Sequence, residues 1–231
     1  MLKAVIFDFN GIILNDEPLH FSSMKDAVAE LGIQITKEEY WSRYLPFDDT
    51  TCLQAICRDR GVILTGDQQE MTLVRKISLY QQLIREHYPV FPGVAAFIRA
   101  ISHRLPLALA SGARRDEILT TLHATGLIEH FRVIVGAEDF TLGKPNPESY
   151  LLALELLNHS LNHGQTPIQP HECLVIEDSI GGIQGARAAG MICLAVSNTY
   201  PPESLQAAHR VVSSLEDVTL ESLESLMQEE S

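Results

Sequence analysis

The chain is short of positive charge, of aromatic residues and of long apolar runs. It carries 17 Lys and Arg against 30 Asp and Glu, a formal net charge of −13, so nucleic acid and anionic membrane are repelled over most of the surface and are excluded as partners. No apolar stretch approaches the ~20 residues that span a bilayer. Met1-Leu2-Lys3 leads straight into a strand-like run and not into a secretory leader. Cysteine is also scarce: Cys52, Cys57, Cys173 and Cys193 show no C-x-x-C spacing, and two of them lie in apolar runs, the pattern of reduced, buried thiols. His159, His163 and His171 fall in a polar loop without an acid or cysteine cluster, which argues against zinc. The expectation is a cytoplasmic, soluble monomer.

What is present is a chain of 231 residues, 45% hydrophobic, enough for one large α/β domain or for a core with a smaller insert. Val5-Ile6-Phe7 is an apolar run that ends at Asp8. From residue 16 the pattern turns helical and remains so to about residue 87. Helices are predicted over 18–31 and 36–45, the second opened by a Thr36/Glu39 capping box. A third is capped by Asp49 or Thr50 and stopped at Gly61, with Leu53, Ile56 and Cys57 inward. A fourth runs over 66–86, with Met71, Val74, Ile77, Leu79, Leu83 and Ile84 available for packing.

Pro89, Pro92 and Gly93 then punctuate the return, and strands alternate with helices to the end. Strand runs fall at 107–110, 132–135, 174–176, 192–196 and 211–212. Helices fall at 94–104, 116–125, 146–158 and 180–189; the third is capped by Asn146 and begins at Pro147. The acidic tail 213–231 reads as a solvated helix. The predicted fold is α/β: a doubly wound parallel sheet formed by residues 1–15 and 89–231, with a four-helix cap domain inserted as residues 16–88.

Four polar clusters follow four apolar strands. The first is Asp8 with Asn10 and Gly11; taken alone, Asn-Gly between apolar runs is also a strong hairpin signal. The second is Ser111-Gly112-Ala113, where a hydroxyl and exposed N–H groups before a helix can hold phosphate oxygens, although such a Ser is equally an ordinary cap. The third is Lys144, held in Gly143-Lys144-Pro145. The fourth is Glu177-Asp178, two hard-oxygen donors of the kind Mg²⁺ takes, with Asp178 or Ser179 also suited to cap the next helix. In a parallel sheet all four lie at the carboxyl ends of strands, where ligands bind.

In that order the clusters resemble the four motifs of the haloacid dehalogenase-like hydrolase superfamily, the aspartate-nucleophile phosphatases. The stretches 143–148 and 177–191 follow the branch that holds β-phosphoglucomutases and phosphoglycolate-phosphatase-like enzymes. The resemblance implies a Rossmann-like core, a helical cap and a Mg²⁺ cofactor bound by Asp8, the backbone carbonyl of Asn10, Asp178 and Glu177. It implies Asp8 as nucleophile, phosphate binding by Ser111, Gly112, Ala113 and Lys144, and a small phosphorylated metabolite as substrate. In the cap, His20 matches a histidine that faces the active site in this branch. Asp48, Asp49 and Thr50 occupy the loop that reads the leaving group. Lys76 is a further substrate candidate; like Arg43 and Arg58 it also reads as a surface charge.

One position departs from the family. Two residues after the nucleophile the family carries a second Asp that protonates the leaving oxygen and then activates water; here the residue is Asn10, and losing that proton carrier costs about 10²–10⁴ in rate. The expected activity is therefore a slowed Mg²⁺-dependent phosphatase. The alternatives are a β-phosphoglucomutase-like sugar phosphomutase, which Asn10 disfavours further, and a weakened phosphometabolite-binding or regulatory protein. A dehalogenase has no use for Glu177-Asp178, and no feature marks Lys25, Lys37 or Lys76 as the Schiff-base lysine of a phosphonate hydrolase.

Overall fold

The computed structural model describes residues 1–161 and 166–229, and His163 lies outside them. Two compact units are present: Met1–Asn15 with Val90–Ser231, and Asp16–Pro89.

In the first unit, β1 (Ala4–Phe7), β2 (Leu107–Ala110), β3 (Phe131–Val135), β4 (Cys173–Glu177), β5 (Ile192–Val196) and β6 (Arg210–Val212) form a parallel sheet in the order β3-β2-β1-β4-β5-β6. β1, β2 and β4 are buried along their whole length. That is why they read as unbroken apolar runs: a parallel sheet covered on both faces has no polar side.

Side chains alternate across β1. Ile6 packs with Tyr150, Val175 and Ile183, which places α7 (Glu148–Ser160) and α8 (Ile180–Ala188) on its face. Phe7 meets the rings of Phe97 and Phe131 edge-on at 6.2 and 5.7 Å, Phe97 belonging to α5 (Val94–Ser102). α6 (Arg115–Thr125) follows β2. The sheet is thus doubly wound and Rossmann-like: the chain runs from β1 out through β2 to β3 on one side, then crosses to β4 on the other side of β1 and continues to β6.

Two expectations for this unit are corrected. Pro147 precedes α7 rather than opening it; Asn146 acts from one residue further back, its Oδ1 accepting the Glu148 N–H at 3.0 Å. The tail forms α9 (Leu220–Glu229), but Leu223, Leu226 and Met227 are buried with Leu215, so one face is packed and only the acidic side is solvated.

The second unit contains α1 (Glu17–Ala29), α2 (Lys37–Glu39) continued by a π-helical turn (Tyr40–Tyr44), α3 (Asp49–Arg60) and α4 (Gly66–His87). Its core gathers Met24, Val28, Ile35, Tyr44, Leu53 and Ile56. The Thr36/Glu39 box forms, but the helix it opens passes after one turn into the π form. The cap of α3 is Asp48, not Asp49 or Thr50: its Oδ1 takes the N–H groups of Thr50 and Thr51 at 2.9 and 3.0 Å.

α4 departs most from its sequence pattern. Met71, Val74 and Ile77 are exposed, whereas Thr72, Lys76, Tyr80 and Ile84 are buried, a single stripe at four-residue spacing. Two of these inward positions are polar, so apolar periodicity misplaced Met71, Val74 and Ile77, while Ile84 is inward as expected. Lys76 is 1% exposed and is no surface charge.

Candidate active site

The register of β1 sets the site. Phe7 pairs with Leu109 on β2 and with Ile176 on β4, so Asp8 stands level with Ala110 and Glu177, and Ser111 and Asp178 lie one residue further on. Three chain segments far apart in sequence thereby end in polar groups at one crevice. Asp8, Glu177 and Asp178 are all buried, and each offers an oxygen within 4.8 Å of the others.

Between Asp8 and Gly11 the backbone is tightly pinned. The Phe9 carbonyl accepts from the N–H groups of Ile13 and Leu14 at 2.7 and 3.0 Å, and the Gly11 N–H donates to the Leu14 carbonyl at 2.9 Å. In a trans peptide C=O and N–H point opposite ways, so that last bond also fixes the direction of the Asn10 carbonyl. Gly11 is required twice over: its φ is +77°, and a Cβ there would lie 1.9 Å from Asp178 Oδ2.

Lys144, on the turn before α7, reaches into the cluster. Its Nζ lies 2.5 Å from Asp8 Oδ1 and 2.6 Å from Glu177 Oε1, and 4.9 Å from the Tyr150 ring. Glu177 uses both oxygens. Oε1 accepts from Lys144 and from the Tyr150 hydroxyl at 2.7 Å; Oε2 accepts from the Asp178 N–H, the Ser179 N–H and the Ser179 hydroxyl, each at 2.9 Å. A Cβ on Gly182 would lie 1.8 Å from Glu177 Oε1, so only glycine lets α8 begin so close to this carboxylate.

Three acids share one ammonium, and their proton affinities diverge accordingly. Burial pushes the Asp8 carboxyl up to about 7 against the pull of Lys144, with Glu177 adding to the rise. Burial, then Glu177 and Asp8, hold Asp178 well above the carboxylate range. For Glu177 the cost of burial is outweighed by the charge and hydrogen bond of Lys144 and by the Tyr150 and Ser179 donors, so its pKa is lowered. Burial disfavours the Lys144 ammonium, yet Asp8 and Glu177 overcome it and raise its pKa. Two carboxylates at the outer limit of this spacing repel by roughly 3 kcal/mol at an effective dielectric of 20. A single Lys cannot neutralise three such groups; Lys144 together with a divalent cation can, and all-oxygen donors suit Mg²⁺.

A family model for haloacid dehalogenase-like hydrolases matches residues 2–190. The chain belongs to that family. A phosphorylated carbohydrates phosphatase from Thermotoga maritima is 30% identical over 192 residues, 82% of this chain and 82% of its own. A β-phosphoglucomutase from Bacillus subtilis is 27% identical over 227 residues, 96% of this chain and 94% of its own. In fold, the crystal structure of a β-phosphoglucomutase from Clostridium difficile superposes with a TM-score of 0.77 at 23% identity, covering 100% of this chain and 99% of that one.

In this haloacid dehalogenase-like hydrolase, Ser111 is 2% exposed, and its hydroxyl accepts the Ala113 N–H at 3.2 Å. That donor is therefore engaged within the turn, while Gly112 is exposed. The second unit has its own polar cluster, in which Asp16, Lys76 and Tyr80 are buried and His20 and Asp49 partly exposed. Lys76 Nζ lies 2.8 Å from Asp49 Oδ2 and 2.7 Å from His20 Nδ1, and Asp16 Oδ2 lies 3.2 Å from His20 Nε2 and accepts the Tyr80 hydroxyl at 2.8 Å. His20, Asp49 and Lys76, singled out separately in the sequence, are thus directly bonded. The Tyr80 ring stacks on His20 with centroids 4.3 Å apart.

Sequence reasoning passed over Tyr150, Asn198 and Thr199. Tyr150 had a signal, since it is the first aromatic residue inside α7 after the Lys144 turn. Asn198 and Thr199 had none: they follow β5 in a polar turn of ordinary composition.

Proposed function

We propose that the protein is a Mg²⁺-dependent phosphohydrolase acting on a small phosphorylated metabolite through an aspartyl-phosphate on Asp8. The observation that carries this reading is the buried set of Asp8, Glu177 and Asp178 around the one ammonium of Lys144. Asp8, Asp178 and the Asn10 carbonyl would hold the metal; Glu177, with five donors on its two oxygens, keeps Lys144 and the start of α8 in place. Bound there, Mg²⁺ supplies positive charge to the phosphoryl oxygens and favours the ionised form of Asp8.

The phosphoryl group itself repels an approaching carboxylate, so it must meet cationic and N–H groups first. Lys144, the Ser111 hydroxyl and the Gly112 N–H are assigned to that task, and the Ala113 N–H joins them only by leaving Ser111 Oγ. Lys144 also fixes the rotation of the Asp8 carboxylate through Oδ1. Attack by Asp8 on phosphorus breaks the bond to the ester oxygen, which leaves as the alcohol with a proton from solvent, and water then opens the acyl phosphate, returning the Asp8 carboxylate and inorganic phosphate. Asn10 can neither give the leaving oxygen a proton nor take one from water, so both steps run slowly. Residues 16–88 are read as a cap domain, with His20, Asp49 and Lys76 as its substrate-contacting residues.

The test is phosphate release from a panel of phosphorylated metabolites. Release that needs Mg²⁺, stops with a chelator and vanishes in Asp8→Asn supports the reading. Asn10 favours a second reading, a binding or regulatory protein with the same metal and phosphate site. Tight binding of a panel member without release of phosphate would select it.

A further inference from the structure

The turn that leaves β5 touches both loops of the acidic cluster, through two adjacent residues. Asn198 Nδ2 donates to the Gly11 carbonyl at 2.8 Å, and the Thr199 hydroxyl donates to Asp178 Oδ2. β5 lies beside β4, with Glu177 paired to Ala195, so this turn is the next structural element outward from Asp178.

We propose that Asn198 and Thr199 are positioning residues for the metal site, one for each of the two loops that would hold the ion. The inference rests on the metal-dependent reading given above.

The geometry leaves little else to orient the Asp178 carboxylate. Glu177 has five donors, whereas Thr199 is the side chain that bonds the Asp178 carboxylate among the described residues. By holding Oδ2, Thr199 fixes the carboxylate rotation and so determines where Oδ1 points. On the other loop, the Gly11 N–H is held by the Leu14 carbonyl and the Gly11 carbonyl by Asn198. Both peptide planes of Gly11 are therefore fixed, and the Asn10 carbonyl belongs to the first of them. The two loops also meet directly, since the place of a Cβ on Gly11 is taken by Asp178. Asp178 Oδ2 is held by the Thr199 hydroxyl while packed against the Gly11 backbone. Thr199 thus constrains a carboxylate that like-charge repulsion would otherwise turn away, Asn198 braces the residue next to the Asn10 carbonyl, and outer partners of this kind typically contribute 10–100-fold to metal affinity.

The experiment is calorimetric titration of the full chain with Mg²⁺ alone, without substrate, for the native protein, Thr199→Val, Thr199→Ser and Asn198→Ala. Thr199→Val keeps the shape and removes the donor. It is expected to weaken Mg²⁺ binding by about 10-fold or more, Thr199→Ser to restore it, and Asn198→Ala to weaken it in the same direction. Melting without metal identifies a variant that has lost its fold; in that case the comparison of Thr199→Ser with the native protein and with Asn198→Ala decides the matter. Native-strength binding in Thr199→Val and Asn198→Ala overturns the proposal while leaving the metal-dependent reading intact. No binding by the native protein overturns both.

Discussion

Lys144 Nζ sits 2.5 Å from Asp8 Oδ1 although the two residues are 136 positions apart in the chain. The same ammonium reaches Glu177 at 2.6 Å. Among the described residues Lys144 is therefore the only side chain that neutralises charge in the cluster, and removing it strands two buried carboxylates. Lys144→Met is expected to cost about 3–5 kcal/mol of folding stability, read by urea denaturation in metal-free buffer, and to lose less when Mg²⁺ is present. A loss below about 1 kcal/mol, the usual worth of an exposed pair, would contradict the buried triad.

The pH dependence of stability has a definite sign. Asp8 rises from an ordinary 3.8 to about 7 in the folded chain, so the folded state binds this proton more tightly than the unfolded state. Its stabilising contribution is complete below the ordinary value and is lost as the pH climbs through about 7. Asp178 is shifted in the same direction, whereas Glu177 is lowered and titrates beneath this window. The melting temperature of metal-free protein is expected to fall between about pH 5 and pH 7.5. The slope should shrink in Asp8→Asn and flatten with saturating Mg²⁺. A metal-free melting temperature that rises over the same window would be inconsistent with these shifts.

Gly182→Ala places a methyl group where Glu177 Oε1 lies, 1.8 Å away. The carboxylate must move off Lys144 and Tyr150, and the exchange is expected to cost about 1–3 kcal/mol, the penalty of unsatisfied buried groups. Denaturation curves of the two proteins decide this. Equal midpoints would mean that Glu177 is not held against α8.

Asn10→Asp supplies the missing proton carrier. Phosphate release is expected to rise by about 10²–10⁴ with little change in Mg²⁺ affinity, because the backbone carbonyl at that position is unaltered. Unchanged turnover would show that proton transfer is not what limits the native protein. Chromatography of the products adds a further distinction: appearance of an isomerised sugar phosphate would indicate a mutase.

The central strands and the four polar clusters could be read from the sequence because a parallel sheet writes its buried strands as apolar runs, and because Asp8, Ser111, Lys144 and Asp178 each follow such a run or a Pro-stiffened turn. The second unit was less legible. Lys76 and Thr72 are inward on α4, and nothing in their spacing says so, since a buried ammonium is stabilised by Asp49 and His20 from other helices. Asp48 was missed as the cap of α3 because four residues able to cap, Asp48-Asp49-Thr50-Thr51, stand in a row. The bonds from Asn198 and Thr199 depend on β5 lying next to β4, a tertiary fact that no local pattern records.

The most direct test is to mix native protein with Mg²⁺ and a hydrolysed phosphometabolite, quench in acid, and map covalent phosphate by mass spectrometry. Because Asn10 leaves the water step unassisted, the acyl phosphate should accumulate on a substrate whose leaving group needs no proton, and a phosphoryl increment is then expected on the peptide carrying Asp8. It should be absent with a chelator and in Asp8→Asn. Phosphate release without any increment on that peptide in either the native protein or a rapid-quench time course, or an increment on another residue, would contradict Asp8 as the nucleophile.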